Sequence, residues 1–119
     1  MSLIRIYECL CDETRLRIVQ LLLEGPLCVC HLQSILGIPQ ARVSQHLAYL
    51  RKRRMVESRR SGTWMIYSLP EKPGADLQKH LACLQDCSLS DKKFRADLKK
   101  LRSISTGCAP AEAVIPTKA

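Results

Sequence analysis

One segment near the middle of the chain restricts the fold more than any other. An apolar helical stretch from residue 27 or 28 to residue 36 is interrupted by Gly37-Ile38-Pro39, and a second helical pattern follows at once. In the second pattern Val43, Leu47 and Leu50 recur at i, i+4 and i+7, which is typical of the inner face of a helix. Two helices joined by a short turn that contains glycine form a helix-turn-helix. The sequence therefore predicts this motif between residues 27 and 53.

The second helix of the motif, predicted from residue 40 to about residue 53, has a polar outer face. That face carries Gln40, Arg42, Ser44, Gln45, His46 and Tyr49. Arg42 and Gln45 have the reach and the donors to contact base edges, whereas Gln40 and Ser44 are better suited to phosphates. His46 is expected to serve DNA rather than a metal ion. An apolar inner face with a hydrogen-bonding outer face is what a groove-reading helix needs.

Two β-prone runs follow the motif. Residues 56–60 and 64–69 flank Ser61-Gly62-Thr63, and the glycine suits a hairpin turn. The hairpin predicts a two-stranded wing, on which Arg59 and Arg60 would meet the DNA backbone or the minor groove. The expected fold class is mainly α with a small β-hairpin, a winged helix-turn-helix.

Further helices are expected on both sides of this centre. The first covers residues 3–11, and the second begins after its cap Asp12 and ends at Gly25-Pro26. The other two cover residues 75–87 and 91–104, the last with Ser88 or Ser90 as its cap. Residues 105–119 contain glycine, prolines and many small residues. We therefore expect one DNA-binding and dimerisation domain, residues 1–104, followed by a mobile tail, residues 105–119.

The charge of the chain favours a polyanionic partner. Its formal net charge is +8, and Arg51-Lys52-Arg53-Arg54 is followed closely by two further arginines. A basic run fits either a solvated face or a nucleic-acid contact, to which Arg51 would contribute. No apolar run is long enough to span a membrane and no secretion signal is visible, so a cytoplasmic protein without a membrane partner is expected. Motifs for phosphate loops, paired catalytic carboxylates or nucleophile elbows are absent, which disfavours an enzyme.

Seven cysteines stand at positions 9, 11, 28, 30, 83, 87 and 108. In a reducing compartment such thiols indicate metal binding or redox chemistry rather than disulfides. Cys28 and Cys30 would lie about 200° apart on a regular helix, so one ion could bind both only if the first turn deformed. Cys83 and Cys87 share a helix face. Cys9 and Cys11 are expected to pack as small apolar residues, and His31 to be a solvated surface residue.

Four stretches together resemble the ArsR/SmtB family of metal-sensing repressors. They are Leu-Cys-Asp-Glu-Thr-Arg-Leu-Arg-Ile at 10–18, Leu-Cys-Val-Cys-His-Leu at 27–32, the outer-face helix at 40–51, and the wing at 59–69. Three departures stand out. A third cysteine of some members corresponds to Gln33, and the aspartate of the cysteine box is His31. The helix after the wing offers only Asp76 and His80, which argues against the zinc-type site.

The resemblance implies a repressor that binds operator DNA when ion-free and is released by a thiophilic ion, arsenite or antimonite. Cys28 and Cys30 would be ligands, with Cys108, Cys87 or Cys83 as a possible third, and no resident cofactor would be required. Because each chain has one reading helix, a homodimer on double-stranded DNA with an imperfect inverted repeat is expected. The first helix and the helix at 75–87 would form its interface. A thiol-based redox or persulfide sensor, or a sensor of cadmium, lead or zinc, stays an alternative.

Overall fold

The chain turns at Gly37, between the two central helices. The computed structural model describes residues 3–87 and 90–104. Gly37 ends α3 (Val29–Leu36) in the left-handed region, at φ 68° and ψ 29°, where a Cβ is disfavoured. Helix α4 (Gln40–Lys52) follows directly and packs against α3. The predicted helix-turn-helix is therefore confirmed.

The described residues form further helices before and after this pair. They are α1 (Leu3–Leu10), α2 (Glu13–Leu22), α5 (Ala75–Cys87) and α6 (Lys92–Ser103). Asp12 caps α2, as predicted. Asp91 caps α6 in the role expected of Ser90, because its carboxylate accepts two backbone N–H groups of the first turn, and Ser88 lies outside the described residues. Within the described ranges, no helix combines the length and apolar character needed to cross a bilayer.

The wing contains one strand more than the sequence predicted. Strands β1 (Leu27–Cys28), β2 (Glu57–Ser61) and β3 (Trp64–Ser68) form an antiparallel sheet in the order β1-β3-β2. Leu27 pairs with Tyr67 and Cys28 pairs with Ile66. The expectation that α3 begins at residue 27 or 28 was wrong, because these two residues are extended and pair with β3 instead of entering the helix.

The core is aliphatic and draws on every helix. Helix α1 contributes Ile6 and Cys9, both fully buried. On the same helix, Leu3 and Tyr7 remain about half exposed. The division between a domain of residues 1–104 and a tail stays a prediction, because residues 105–119 lie outside the described residues.

Ion pairs join α2 to α6, and those of Asp97 and Glu13 differ in burial. Arg17 donates from Nε and an Nη to the two carboxylate oxygens of Asp97, each over 2.8 Å, and Asp97 is 2% exposed. Lys93 pairs with Glu13, and each lies one helical turn before its neighbour in the first pair. Both of these side chains are more than half exposed. A planar guanidinium that meets a carboxylate with two parallel hydrogen bonds is the stronger arrangement.

We expect Asp97→Ala to lower the free energy of unfolding by about 3 kcal/mol, because it leaves the Arg17 charge partly buried and without its carboxylate. Glu13→Ala removes the exposed pair between the same helices and should cost less than about 1 kcal/mol. Urea unfolding of both variants checks the difference. Equal losses would contradict the claim that burial gives the Arg17–Asp97 pair its importance.

Candidate functional site

Helix α4 separates an apolar face from a polar face as a groove-reading helix must. Val43, Leu47 and Leu50 are fully buried. The residues proposed to read or hold DNA lie mostly on the opposite side: Gln40, Arg42, Ser44 and Gln45 are exposed, and His46 is partly buried. The structure thus places the predicted set on one helix, with His46 nearest the protein body.

The remaining basic candidates lie at the end of α4 and on the wing. Arg51 is exposed in the last turn of α4. Arg59 and Arg60 are exposed on β2, opposite Ile66 and Met65 of β3. Since neighbouring residues of a strand point to opposite faces, Arg59 and Arg60 leave the sheet on different sides.

Helix α4 is held in place by stacking on Tyr49. The guanidinium of Arg15 lies 4.0 Å from the centre of the Tyr49 ring, and that of Arg53 lies 3.4 Å from it. Arg15 also donates hydrogen bonds to the carbonyl oxygens of Cys9 and Glu8, both over 3.1 Å. One side chain therefore connects the end of α1, the start of α2 and the middle of α4.

Cys28 and Cys30 meet at the junction between the wing sheet and α3. Cys28 precedes the first helical residue, with φ −87° and ψ 164°, and the two Sγ atoms lie 2.7 Å apart. The expectation that the thiols lie on opposite faces of a helix was wrong. The extended backbone at Cys28 turns its side chain toward the first turn of α3, so one ion can reach both sulfur atoms without unwinding the helix.

His31 joins the two thiols, contrary to the expectation of a solvated residue. It is 4% exposed, and the ligand atoms of Cys28, Cys30 and His31 all lie within 4.8 Å of one another. Among the described residues, neither ring nitrogen has a hydrogen-bond partner. Burial lowers the pKa of His31, which favours the neutral imidazole that binds metals. The signal was present in the sequence, because His31 lies four residues before buried Ile35 on the inner face of α3.

The other cysteines differ from this cluster in their surroundings. Cys9 is fully buried, as expected, and burial raises the pKa of its thiol. Cys11 is exposed and donates from Sγ to the carbonyl of Glu8, so its predicted packing role was wrong. Cys83 and Cys87 are exposed on α5, where the neighbouring Cys83 raises the pKa of Cys87. Cys108 lies outside the described residues.

The cluster offers two thiols and one imidazole to a single ion. Among the described residues, this cluster is the one group of three or more histidine, cysteine or acidic side chains whose ligand atoms could all bind a single ion. Thiolate sulfur binds soft ions, and imidazole nitrogen extends the range to borderline divalent ions. Neither Cys83 nor Cys87 belongs to this group, so the structure does not bring the predicted alternative ligands together with Cys28 and Cys30.

Comparison with known proteins relates the segment that contains the helix-turn-helix and the cysteine pair to one family. The family model "Bacterial regulatory protein, arsR family" matches residues 12–58, from the Asp12 cap into strand β2. The fold is similar to that of HlyU from Vibrio cholerae, with a TM-score of 0.64 and 28% identity over 72% of this chain and 90% of that chain. The winged helix-turn-helix prediction is thereby confirmed.

Two curated relatives are transcriptional regulators by name. The arsenic resistance transcriptional regulator ArsR1 of Pseudomonas putida is 44% identical over 70 residues, which are 57% of this chain and 55% of that protein. The chain thus spans little more than half of that relative. The arsenical resistance operon repressor of Bacillus subtilis is 34% identical over 89 residues, which are 70% of this chain and 85% of that protein. The chain therefore belongs to the ArsR family of bacterial helix-turn-helix regulatory proteins.

Proposed function

We propose that this protein is a transcriptional repressor that binds operator DNA when ion-free and releases it when arsenite or antimonite binds Cys28 and Cys30. The observation that carries the proposal is the position of the thiol pair. The two sulfur atoms lie together where the wing sheet meets the first helix of the helix-turn-helix. The names of the relatives support arsenic as the inducing element.

In this proposal α4 reads the major groove. Arg42 and Gln45 contact base edges, because both are exposed and carry the donors that bases accept. Gln40, Ser44, His46 and Arg51 hold the neighbouring phosphates, and Arg59 and Arg60 hold the backbone or the minor groove beside the wing. The stacking of Arg15, a residue of α2, on Tyr49 holds the helix that presents these groups.

Arg42→Ala and Gln45→Ala should each reduce discrimination between specific and random DNA by about 1–3 kcal/mol. Arg59→Ala or Arg60→Ala should weaken both kinds of DNA alike and lower the salt dependence of binding, because they contact phosphates. Fluorescence anisotropy with a labelled duplex, selected by the ion-free protein from a randomised library, measures both effects. Wild-type discrimination in Arg42→Ala and Gln45→Ala would refute the reading role.

We further propose that two chains pair through α1 and α5 and bind an imperfect inverted repeat. The large apolar side chains exposed among the described residues all lie on α1: Leu3, Ile4 and Tyr7. Tyr7 and His80 lie edge to face, with a hydrogen bond of 2.9 Å, so α1 and α5 form one continuous surface. A dimer would remove this apolar area from water.

Ile4→Glu should shift the protein from dimer to monomer and weaken operator binding at least about tenfold, because it puts a charge into an apolar interface. Analytical ultracentrifugation checks the oligomeric state. Ala96→Glu, at an exposed helix position on α6, is the matched control and should stay dimeric. A wild-type monomer that binds one half-site specifically would contradict the proposal.

Ion binding at the thiols can act on both DNA-contacting parts. Cys28 belongs to β1 and pairs with Ile66 of β3, so it is continuous with the wing. Cys30 belongs to α3, which packs against α4. An ion bound to both sulfur atoms would therefore set the position of the wing relative to the reading helix. A near-complete switch requires about 5.5 kcal/mol of differential binding between the two forms.

Cys28→Ser and Cys30→Ser should each keep operator affinity and lose release by arsenite, because a hydroxyl does not replace a thiolate for a soft ion. The measurement is operator anisotropy during arsenite titration of the reduced protein. Cys11→Ser is the matched control, since Cys11 is exposed and outside the cluster. Full release from the Cys28→Ser, Cys30→Ser double variant would move the sensor to other cysteines.

Arsenite favours a third thiolate, which Cys83, Cys87 or Cys108 would supply. The single serine variants of these three residues identify it, because the one that completes the site weakens release. The short distance between the Cys28 and Cys30 sulfur atoms also favours a second candidate function, a thiol-based redox sensor. Titration of the reduced protein with an oxidant separates the two: release by oxidant alone supports the redox sensor.

A further inference from the structure

A cavity lies at the base of the wing, where four parts of the fold meet. Its volume is about 640 Å³, and its walls come from α1, the end of α4, the start of β2 and the segment that leads into α5. Small-molecule sites in proteins usually have volumes of about 300–1,000 Å³. The described lining includes no cysteine, so this cavity is separate from the candidate ion site.

Basic side chains dominate the lining of the cavity. They are Arg5, Arg51, Arg54 and Lys72, all of them exposed. Among the described lining residues, Glu57 is the one acidic side chain. Positive charges that share a cavity repel one another unless an anion lies between them. Guanidinium groups bind phosphate with two parallel hydrogen bonds, and lysine adds a point charge, so the lining fits a phosphorylated ligand.

Arg54 has a backbone conformation that disfavours arginine. Its φ is 63°, and among the described residues every other positive φ belongs to a glycine. At this end of α4 the N–H of Arg54 donates to the carbonyl oxygen of Arg51 over 3.0 Å, and that of Met55 donates to the carbonyl oxygen of Leu50 over 2.9 Å. Glycine is the usual residue at the left-handed position of such a helix end, because it has no Cβ. Strained backbone is frequent at binding sites, so an arginine here indicates that its side chain has a function at the cavity.

Part of the lining is apolar. Val56 and Leu77 are each 2% exposed, and they line the cavity together with Pro70 and Pro73. Inorganic phosphate would leave this apolar surface in contact with water, whereas a ligand with a planar ring would cover it. The carboxylate of Glu57 accepts hydrogen bonds only, which suits the hydroxyl groups of a sugar. The lining thus combines partners for phosphate, for a sugar and for an apolar ring.

We propose that this cavity binds a nucleoside polyphosphate, with its phosphates at the basic side chains, its ribose at Glu57 and its base on the apolar lining. A small ligand fits better than the DNA backbone, because the cavity lies away from the surfaces proposed to meet DNA. Arg51 follows Gln40 by eleven residues, which is about 16 Å along α4. Glu57 begins β2, at the opposite end of that strand from the turn at Gly62. The bound ligand would contact α4 and the wing on one side and α1 on the other.

Isothermal titration calorimetry of the reduced full-length protein with ATP and GTP tests this inference without DNA. The wild type should bind one nucleotide per chain, and should bind inorganic tripolyphosphate at least about tenfold more weakly, because tripolyphosphate lacks the ring and the sugar. Arg54→Gly and Lys72→Ala should each weaken nucleotide binding at least about tenfold, because each removes a charge-assisted hydrogen bond to phosphate. Lys52→Ala removes an exposed charge at the end of α4 outside the described lining, and as the matched control it should bind as the wild type does.

Two further measurements separate a binding role from a structural one. Without nucleotide, Arg54→Gly should melt at the wild-type temperature or above, because glycine relieves the left-handed backbone. Its loss of nucleotide binding is then not a loss of folding. Glu57→Ala should weaken ATP binding and leave tripolyphosphate binding unchanged or stronger, because the carboxylate contacts the sugar and repels phosphate.

The inference does not depend on the proposed arsenite response. The Cys28→Ser, Cys30→Ser double variant should bind ATP with wild-type affinity, so a protein that fails to respond to arsenite leaves the inference intact. No binding of ATP or GTP by the wild type would overturn it, as would equal ATP affinities of Arg54→Gly, Lys72→Ala and the control. Loss of operator binding in Arg54→Gly and Lys72→Ala, with no nucleotide binding in the wild type, would assign these cations to DNA instead.

Discussion

The stacking of Arg15 on Tyr49 is the interaction on which the position of helix α4 depends. The guanidinium of Arg15 bonds to two carbonyl oxygens at the end of α1 and lies over an aromatic ring of α4. A lysine could not reproduce this arrangement, because the planar fork donates in two directions while its face stacks on the ring. One side chain of α2 therefore connects the end of α1 to α4, in addition to the aliphatic core.

The second constraint is the extended backbone of Leu27 and Cys28. Because these residues pair with β3 instead of beginning α3, the wing and the helix-turn-helix share a segment of chain. The same backbone brings the Cys28 thiol beside Cys30. The extended backbone of these two residues therefore determines both the number of strands in the wing and the geometry of the candidate ion site.

Much of this fold could be predicted because local signals and burial agree. The Asp12 cap, the left-handed turn at Gly37 and the repeat of Val43, Leu47 and Leu50 on α4 each have a short-range physical cause. The strand β1 could not be predicted in the same way. Two residues have no periodicity of their own, and their conformation depends on pairing with β3, almost forty residues later in the chain.

The geometry of the candidate ion site could not be predicted from residue spacing either, because it also depends on the strand pairing of Cys28. An i, i+2 pair faces opposite directions only if both residues are helical, and Cys28 is not. His31, expected at the surface, is buried because its position on the inner face of α3 outweighs its polarity. The polar face of α4 was predicted correctly as a surface, since exposure there is decided by helical periodicity alone, whereas the DNA contacts of its residues remain predictions.

Helix α6 has a consequence for how this fold can be divided. The family model matches residues 12–58, yet α6 covers α2 and α3 with Phe94, Leu98 and Leu101 and supplies the carboxylate for Arg17. Lys100 also reaches the carbonyl oxygen of Ile35 at 3.5 Å. A fragment excised at the boundaries of the recognisable motif would lose part of its apolar cover and one half of a buried ion pair. The segment that the family model recognises is thus shorter than the part of the chain that packs together. Grafting that segment alone onto another protein would transfer the sequence pattern without the contacts that stabilise it.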